Sequence, residues 1–238
     1  PTITTDSVTT YTATTAVLGG DVTASGGESV TERGIVYSST DSTHEIGETG
    51  VTKNDNGSGM DTFSETITGL AQGTKYYVRA YATNIEGTSY GSVEEFTMLV
   101  ITSAITPAEA LTEENLDANS LTVALSNVTF KDATLDKANF TLNNAPAGVS
   151  VESVEYTDTT HCKVNLAYSG TDFDSNVTTF SLTIAIAELS EGEDLTSDEL
   201  TITATVEPAP TVTSVSPERG RILGGTSVTI RGTNFTKM

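Results

Sequence analysis

The segment from Leu70 to Asn84 constrains the fold more than any other part of the sequence. From Tyr76 onward its residues alternate between a set expected to face the core and a set expected to face the other way: Tyr76, Val78, Ala80 and Ala82 against Tyr77, Arg79, Tyr81 and Thr83. A period of two in aromatic and β-branched residues predicts a strand with one buried face. Gly73, just before this strand, supplies the backbone freedom of a turn.

Leu70 lies six residues before Tyr76, which is the spacing of a tyrosine corner. In that corner the aromatic ring packs under a turn and the hydroxyl bonds to the backbone upstream. We therefore interpret Leu70, Gly73 and Tyr76 as structural residues, with a catalytic tyrosine as the minor alternative.

These residues also carry a family resemblance. The pattern Leu-x-x-Gly-Thr-x-Tyr-x-Val-x-Ala-x-Ala-x-Asn over residues 70–84 resembles the E–F corner and F strand of a fibronectin type III domain. Residues 13–22 and 31–38 resemble strands B and C of the bacterial surface version. Two positions depart from the family pattern, because the B-strand tryptophan is missing and Gln72 stands where proline is frequent. The resemblance covers about residues 6–98 and implies a β-sandwich.

Length and charge set the domain organisation and exclude some partners. A chain of 238 residues exceeds one typical domain. Residues 1–99 carry 4 basic and 13 acidic side chains, residues 100–208 carry 3 and 18, and residues 209–238 carry 4 and 1, so the sign changes near residue 209. The net charge of −21 argues against nucleic acid and anionic membrane surfaces as partners, because both are bound through clustered Lys and Arg.

The single cysteine, Cys162, excludes a disulfide within the chain. Strand alternation leaves this residue either a small hydrophobic residue or a surface thiol. No apolar run approaches the roughly 20 residues of a membrane span, so we expect no membrane insertion in this segment. The sequence starts at Pro1 without a signal peptide, so we expect an internal fragment whose targeting segments lie elsewhere.

Short strands separated by turn signals predict a sandwich over residues 1–99. The expected strands are Ile3–Val8, Thr14–Ala24, Val30–Ser38, a short piece near Val51, Thr62–Thr68, Lys75–Asn84 and Val93–Thr97. Leu99–Thr106 is apolar and short, which predicts a stiff junction to the next domain rather than a flexible linker.

A second sandwich is predicted over residues 100–208. We expect one helical turn within residues 107–116, with Pro107 near its start. The expected strands are Ser120–Leu125, Asn139–Leu142, Val149–Tyr156, Cys162–Tyr168, Thr179–Ala187 and Glu199–Val206, with a bulge where Val149, Val151 and Val154 break phase. Residues 118–125 and 135–148 resemble the repeated Ig-like modules of large bacterial surface proteins, which carry no known chemistry.

Glycines and prolines mark a third unit at residues 209–238, after an extended linker at Glu207–Pro210. The segment resembles the first third of an IPT/TIG domain, an Ig-like fold, through Pro217, Gly220, Gly224, Gly225, Gly232, Asn234 and Phe235. Because two strands alone are at best marginal in water, we expect this truncated unit to be mobile or to lean on the second domain.

Few residues suggest chemistry. His44 and His161 are expected to be isolated surface or edge residues rather than metal ligands. Asp172, Asp174 and Asn176 occupy alternate positions, as ligands do in calcium loops, but the glycine and closing acid of an EF-hand are absent. A solvated turn is therefore favoured over weak calcium binding. A second acidic cluster, expected to be a charged loop before an edge strand, comprises Glu191, Glu193, Asp194, Asp198 and Glu199.

The sequence thus predicts an all-β chain of tandem fibronectin type III and Ig-like sandwiches, with a truncated IPT/TIG unit at its end. We expect a non-enzymatic segment of a bacterial cell-surface or secreted protein, acting as spacer, adhesion or protein-interaction modules whose partner is a surface protein or glycan. The alternative is a set of accessory modules, spacer or carbohydrate-binding, of an extracellular polysaccharide-degrading enzyme. No residue is nominated as catalytic, and calcium is the one cofactor left open.

Overall fold

The computed structural model describes residues 1–170, 172–206, 210–216 and 227–233. The strands pair antiparallel and build Ig-like sandwiches in tandem, as the sequence predicted. The first 206 residues contain two separate hydrophobic cores, and each core lies between the two sheets of one sandwich. A two-stranded hairpin follows.

The first sandwich packs a sheet of order β1-β2-β5 against a sheet of order β4-β3-β6-β7, in which β8 also pairs with β6. Its strands are β1 Thr2–Thr5, β2 Thr15–Ala24, β3 Glu32–Ser38, β4 Thr52–Asp55, β5 Asp61–Thr68, β6 Lys75–Asn84, β7 Gly87–Tyr90 and β8 Glu94–Thr97. β6 has the bounds expected from its alternation. β7 was not predicted, since Gly-Thr-Ser-Tyr has no apolar alternation and forms a strand only by pairing with the end of β6.

The two sheets approach closely at Gly20 of β2. A Cβ atom at this position would lie 2.5 Å from the Ala80 Cβ of the facing sheet, so only glycine fits there. Val78, Ala80 and Ala82 of β6 are fully buried against this layer, as their alternation indicated.

Tyr81 is an exception to the predicted alternation of buried and exposed side chains along β6. It belongs to the set expected to face away from the core, yet it is fully buried. Gly34 of β3 leaves room for the ring, Lys53 lies 5.4 Å from the ring centroid, and the hydroxyl donates a 2.5 Å hydrogen bond to Glu32. Burial, followed by this hydrogen bond, raises the pKa of Tyr81 above its ordinary value. Side chains from neighbouring strands, which alternation does not report, cover the outer face here.

The second sandwich packs a sheet of order β12-β13-β10-β9 against one of order β11-β14-β15, with β16 also paired to β14. Its strands are β9 Thr102–Pro107, β10 Ser120–Ser126, β11 Phe140–Asn143, β12 Val149–Asp158, β13 His161–Tyr168, β14 Val177–Ile184, β15 Leu195–Thr196 and β16 Leu200–Ile202. Short 3-10 helices span Glu113–Ala118, Lys137–Asn139 and Ile186–Glu188. The predicted bulge in β12 is confirmed by a register shift between Val151 and Ser153.

Two expectations for this domain were wrong. The predicted junction contains β9, which pairs along β10 from Thr102 to Pro107. Pro107 therefore ends an edge strand, where a missing N–H is tolerated, instead of starting a helix. The helical turn comes later, at Glu113–Ala118, where the Asn115 side-chain oxygen accepts the backbone N–H of Thr112 at 2.9 Å.

The C-terminal hairpin consists of β17 Thr211–Ser216 and β18 Thr229–Thr233. Its apolar side chains are exposed rather than covered by the second domain: Val212, Val215, Val228 and Ile230. Of the glycines and other residues that suggested an IPT/TIG unit, Gly232 lies in β18, and the remainder fall outside the described residues, as does most of the expected linker.

Candidate functional site

The turn before β6 has the geometry of a tyrosine corner. Leu70 is buried, Gly73 has a φ of +64°, and the Tyr76 hydroxyl accepts a 3.1 Å hydrogen bond from the backbone N–H of Ala71. Gln72, which stands where the resembled family often has proline, uses its side-chain oxygen to accept a 2.9 Å hydrogen bond from the N–H of Ile101. The corner of the first domain thus reaches the start of the second.

Four residues connect β8 to β9, and each is hydrogen-bonded. The N–H of Met98 donates to the Thr74 carbonyl at 3.0 Å, and the N–H of Leu99 donates to the Thr12 carbonyl at 3.3 Å. The Val100 carbonyl accepts a 2.7 Å hydrogen bond from the Asn127 side chain, and Ile101 is held by Gln72. These four residues, rather than the predicted Leu99–Thr106, connect the two domains, and they are bonded to both.

A carboxylate from the second domain clamps a loop of the first. Glu191 Oε2 accepts hydrogen bonds from the hydroxyl groups of Thr12, at 2.7 Å, and Thr14, at 2.8 Å. The Thr12 oxygen also accepts the backbone N–H of Thr15 at 3.1 Å, which leaves its own proton directed at the carboxylate. Hydrogen bonds to an ionised acceptor are stronger than neutral ones.

Apolar packing supports the same contact. Ala13, between the two clamping threonines, is fully buried and belongs to the hydrophobic core of the second domain. Gly192, with a φ of +100°, follows the clamping glutamate, and a Cβ there would lie 2.6 Å from Ile101 Cδ1. The two domains therefore share one continuous joint, which we define as residues 12–14, 72, 98–101 and 191–192.

Sequence reasoning missed this role of Glu191. The acidic cluster was interpreted as a loop protecting an edge strand, and that interpretation remains untested for Asp198 and Glu199. Within the cluster, Asp194 accepts the backbone N–H of Ile186 at 2.8 Å, so it shapes its own loop. No pattern in the sequence connects a glutamate to threonines 177 and 179 residues away.

The three calcium candidates lie in the loop before β14. Asp172, Asp174 and Asn176 are exposed, and the Asn176 side-chain oxygen accepts the backbone N–H of Ala204 at 3.0 Å. The structure therefore assigns Asn176 a bond that ties this loop to the end of the domain. Within the described residues, no group of three or more His, Cys, Asp or Glu side chains is arranged to hold a metal ion. Calcium binding remains a prediction.

Of the two possibilities for Cys162, the structure selects the buried one. Its side chain is fully buried in the second core, and burial, with the charge of Glu188, raises the pKa of the thiol to about 12.

His161 precedes Cys162 on β13 and is half-buried, with its Nδ1 atom 2.9 Å from an Asp158 carboxylate oxygen. The Thr160 backbone, followed by His161, lowers the pKa of Asp158 to about 2.

His44 corrects a second expectation, because it is fully buried rather than at the surface or an edge. Its ring lies below the loop that joins β3 to β4. Adjacent polar residues made an exposed position the simplest interpretation of the sequence.

Surface recesses in the described part of the chain are shallow. One, of about 590 Å³, runs beside β12 and is lined by residues that include Leu135, Lys137 and Glu152. Another, of about 430 Å³, lies at the joint beside Gln72 and Glu193. Among the helices of the described residues, none is long and apolar enough to cross a membrane.

Comparison with known proteins identifies one part of the chain. No curated protein matches the sequence. The family model of the IPT/TIG domain matches residues 210–238, the segment that contains β17 and β18. The C-terminal end of the chain therefore carries an IPT/TIG segment, and it follows two domains that are Ig-like by fold.

Proposed function

We propose that this chain is a non-enzymatic spacer segment of a bacterial cell-surface or secreted protein. In this proposal, tandem Ig-like modules hold other parts of the protein at a set distance and orientation. The IPT/TIG match indicates an Ig-like or protein-interaction module, which is compatible with adhesion to a surface protein or glycan. The joint between the first two domains is the observation that carries the proposal.

A spacer differs from a flexible string of domains in the stiffness of its connections. Free linkers are usually rich in glycine, serine or proline, and their residues lack fixed partners. Here the four connecting residues are bonded, and the Glu191 carboxylate holds a loop from the opposite domain. Ala13 adds an apolar contact that a freely rotating joint would expose. These contacts transmit the orientation of one domain to the next.

Charge supports the same function. Both domains are strongly acidic, with 13 and 18 acidic residues against 4 and 3 basic ones. Like charges on consecutive domains repel one another, which favours an extended arrangement and keeps the protein soluble.

Small-angle X-ray scattering on residues 1–206 tests the stiff joint. We expect one rigid arrangement of the two domains to fit the scattering at both 50 mM and 500 mM NaCl, since direct bonds set the joint. A curve that only a broad ensemble of arrangements fits, at either salt concentration, would contradict the spacer proposal.

The cellular location has its own test. An antibody against residues 1–206 should bind intact cells of the source bacterium or its culture medium. Labelling that appears only after the cells are lysed would overturn the proposed location.

A further inference from the structure

The loop that joins β3 to β4, residues 39–51, lies over the outer face of its sheet and is fastened there by His44. The imidazole ring is fully buried beneath the loop. Its Nδ1 lies 2.9 Å from the carbonyl oxygen of Asp41, within the loop, and its Nε2 lies 3.0 Å from the carbonyl oxygen of Val36, in β3.

Both partners of the ring are carbonyl oxygens, which can only accept hydrogen bonds. A neutral imidazole carries one N–H, whereas an imidazolium carries two. In the neutral ring, one nitrogen lone pair would face a carbonyl oxygen at hydrogen-bonding distance, and that carbonyl oxygen would lose the ring N–H as a donor. Only the doubly protonated ring satisfies both acceptors.

We propose that His44 is doubly protonated in the folded protein at pH 7.5, and that this proton fastens loop 39–51 to β3. Loss of the proton breaks one of the two hydrogen bonds and loosens the loop. The loop is then a proton-dependent clasp on the outer face of the first domain.

The charged groups around the clasp come from every element that packs on it. Asp41 lies on the loop, and its carboxylate accepts the N–H and hydroxyl of Thr43; these bonds first, and the charge of His44 last, lower the pKa of Asp41. Glu45 and Glu48 also lie on the loop, where Glu48 accepts the backbone N–H of Glu45 at 2.6 Å. Of these carboxylates, Asp41 interacts with the His44 charge, which favours a cation on the ring.

The neighbouring strands contribute side chains of both charge signs and one hydroxyl group. Arg79 of β6 lies 3.4 Å from the carbonyl oxygens of Thr43 and His44, and its guanidinium stacks 4.7 Å from the ring centroid of Tyr90 in β7. The Tyr90 hydroxyl in turn accepts the N–H of Ile46. Lys53 of β4, opposite Val36, is paired with Glu32. The Arg79 charge and the burial of the ring oppose the imidazolium, whereas the Asp41 carboxylate and the two carbonyl oxygens favour it.

Nuclear magnetic resonance of the ring nitrogens tests the proposal directly. In the ¹⁵N-labelled full chain at pH 7.5, we expect both His44 nitrogens to show the imidazolium shift and an attached proton. The same chain unfolded in urea is the reference, because an unperturbed histidine titrates near 6.5 and is about 90% neutral at that pH. A His44 ring with one unprotonated nitrogen in the folded protein would overturn the proposal.

Stability measurements provide the second test. A folded state that keeps one proton lost by the unfolded state becomes less stable as pH rises above the unfolded value. The Gln side chain of His44→Gln cannot bind that proton. The ratio of the unfolding equilibrium constant of the wild type to that of His44→Gln should therefore rise by up to tenfold per pH unit above about pH 6.5. His161→Gln provides the matched control background, because the difference in pH dependence between His44 and His44→Gln should be the same with and without the His161 side chain. Parallel pH profiles for wild type and His44→Gln would contradict the clasp, and the resonance experiment applies even if His44→Gln fails to fold.

Discussion

Removal of the Glu191 carboxylate should free the joint between the two sandwiches. Glu191→Ala deletes the acceptor of two hydroxyl donors, from Thr12 and Thr14, and leaves the Ala13 contact in place. Both threonines then lose a bond across the joint, while the Thr12 oxygen keeps the backbone N–H groups within its own loop.

The magnitude follows from the number and exposure of these bonds. A hydrogen bond to a charged group contributes about 1.5–3 kcal/mol in favourable sites. Glu191 is only half-buried, so we take about 1 kcal/mol for each bond, and about 2 kcal/mol for the pair. Since 1.4 kcal/mol is a factor of ten, the ratio of docked to undocked joints should fall about 30-fold.

Double electron–electron resonance can measure the change. Spin labels at Ile85→Cys, whose native side chain is 83% exposed, and at exposed Thr157→Cys report the distance between the domains. The native thiol of Cys162 is buried and should remain unlabelled. We expect a narrow distance distribution for the wild type and a broad one for Glu191→Ala.

The neighbouring carboxylate provides the matched control. Glu193→Ala removes the same charge from the same exposed loop, without the bonds to the threonines, and should keep the narrow distribution. If the distribution for Glu191→Ala remained as narrow as that of the wild type, the remaining contacts of the joint would be sufficient to set the domain orientation, and the prediction for the clamp would be wrong.

Three further predictions concern stability, and one concerns calcium. Cys162 should react with iodoacetamide at pH 7.5 only after unfolding; because its folded pKa is raised, its contribution to stability should be complete below about pH 9 and lost between about pH 9 and 12, a loss that Cys162→Ala should remove. Tyr76→Phe should cost about 1 kcal/mol in urea unfolding, since it deletes one hydrogen bond of the corner; an unchanged midpoint would argue against that bond. Leu182→Ala, at a fully buried position, should cost about 2–5 kcal/mol, and a cost below 1 kcal/mol would mean that this core is loosely packed. Calcium should leave the melting temperature unchanged, because no group of three or more His, Cys, Asp or Glu side chains in the described residues is arranged to hold a metal ion; a rise that EDTA reverses and that Asp172→Asn abolishes would show a site in the loop before β14.

Much of the fold follows from local patterns in the sequence. Alternation identified β6 with its observed bounds and the bulge in β12, and the spacing from Leu70 to Tyr76 matches the observed corner. These features were accessible because a strand with a core on one side imposes a period of two on its own residues. The strands β7 and β9 were not predicted, because each forms by pairing with a neighbouring strand and its own residues show little apolar alternation.

The tertiary structure alone decided what covers each face and which distant residues meet. Alternation assigned Tyr81 to the outer face, but only the fold showed that Lys53 and Glu32 cover it. The sequence equally gave no sign that Glu191 would meet Thr12, or that a loop would bury His44. Local sequence records the backbone periodicity of one segment, whereas a joint or a clasp depends on how separate segments pack in space, and that information is spread over the whole chain.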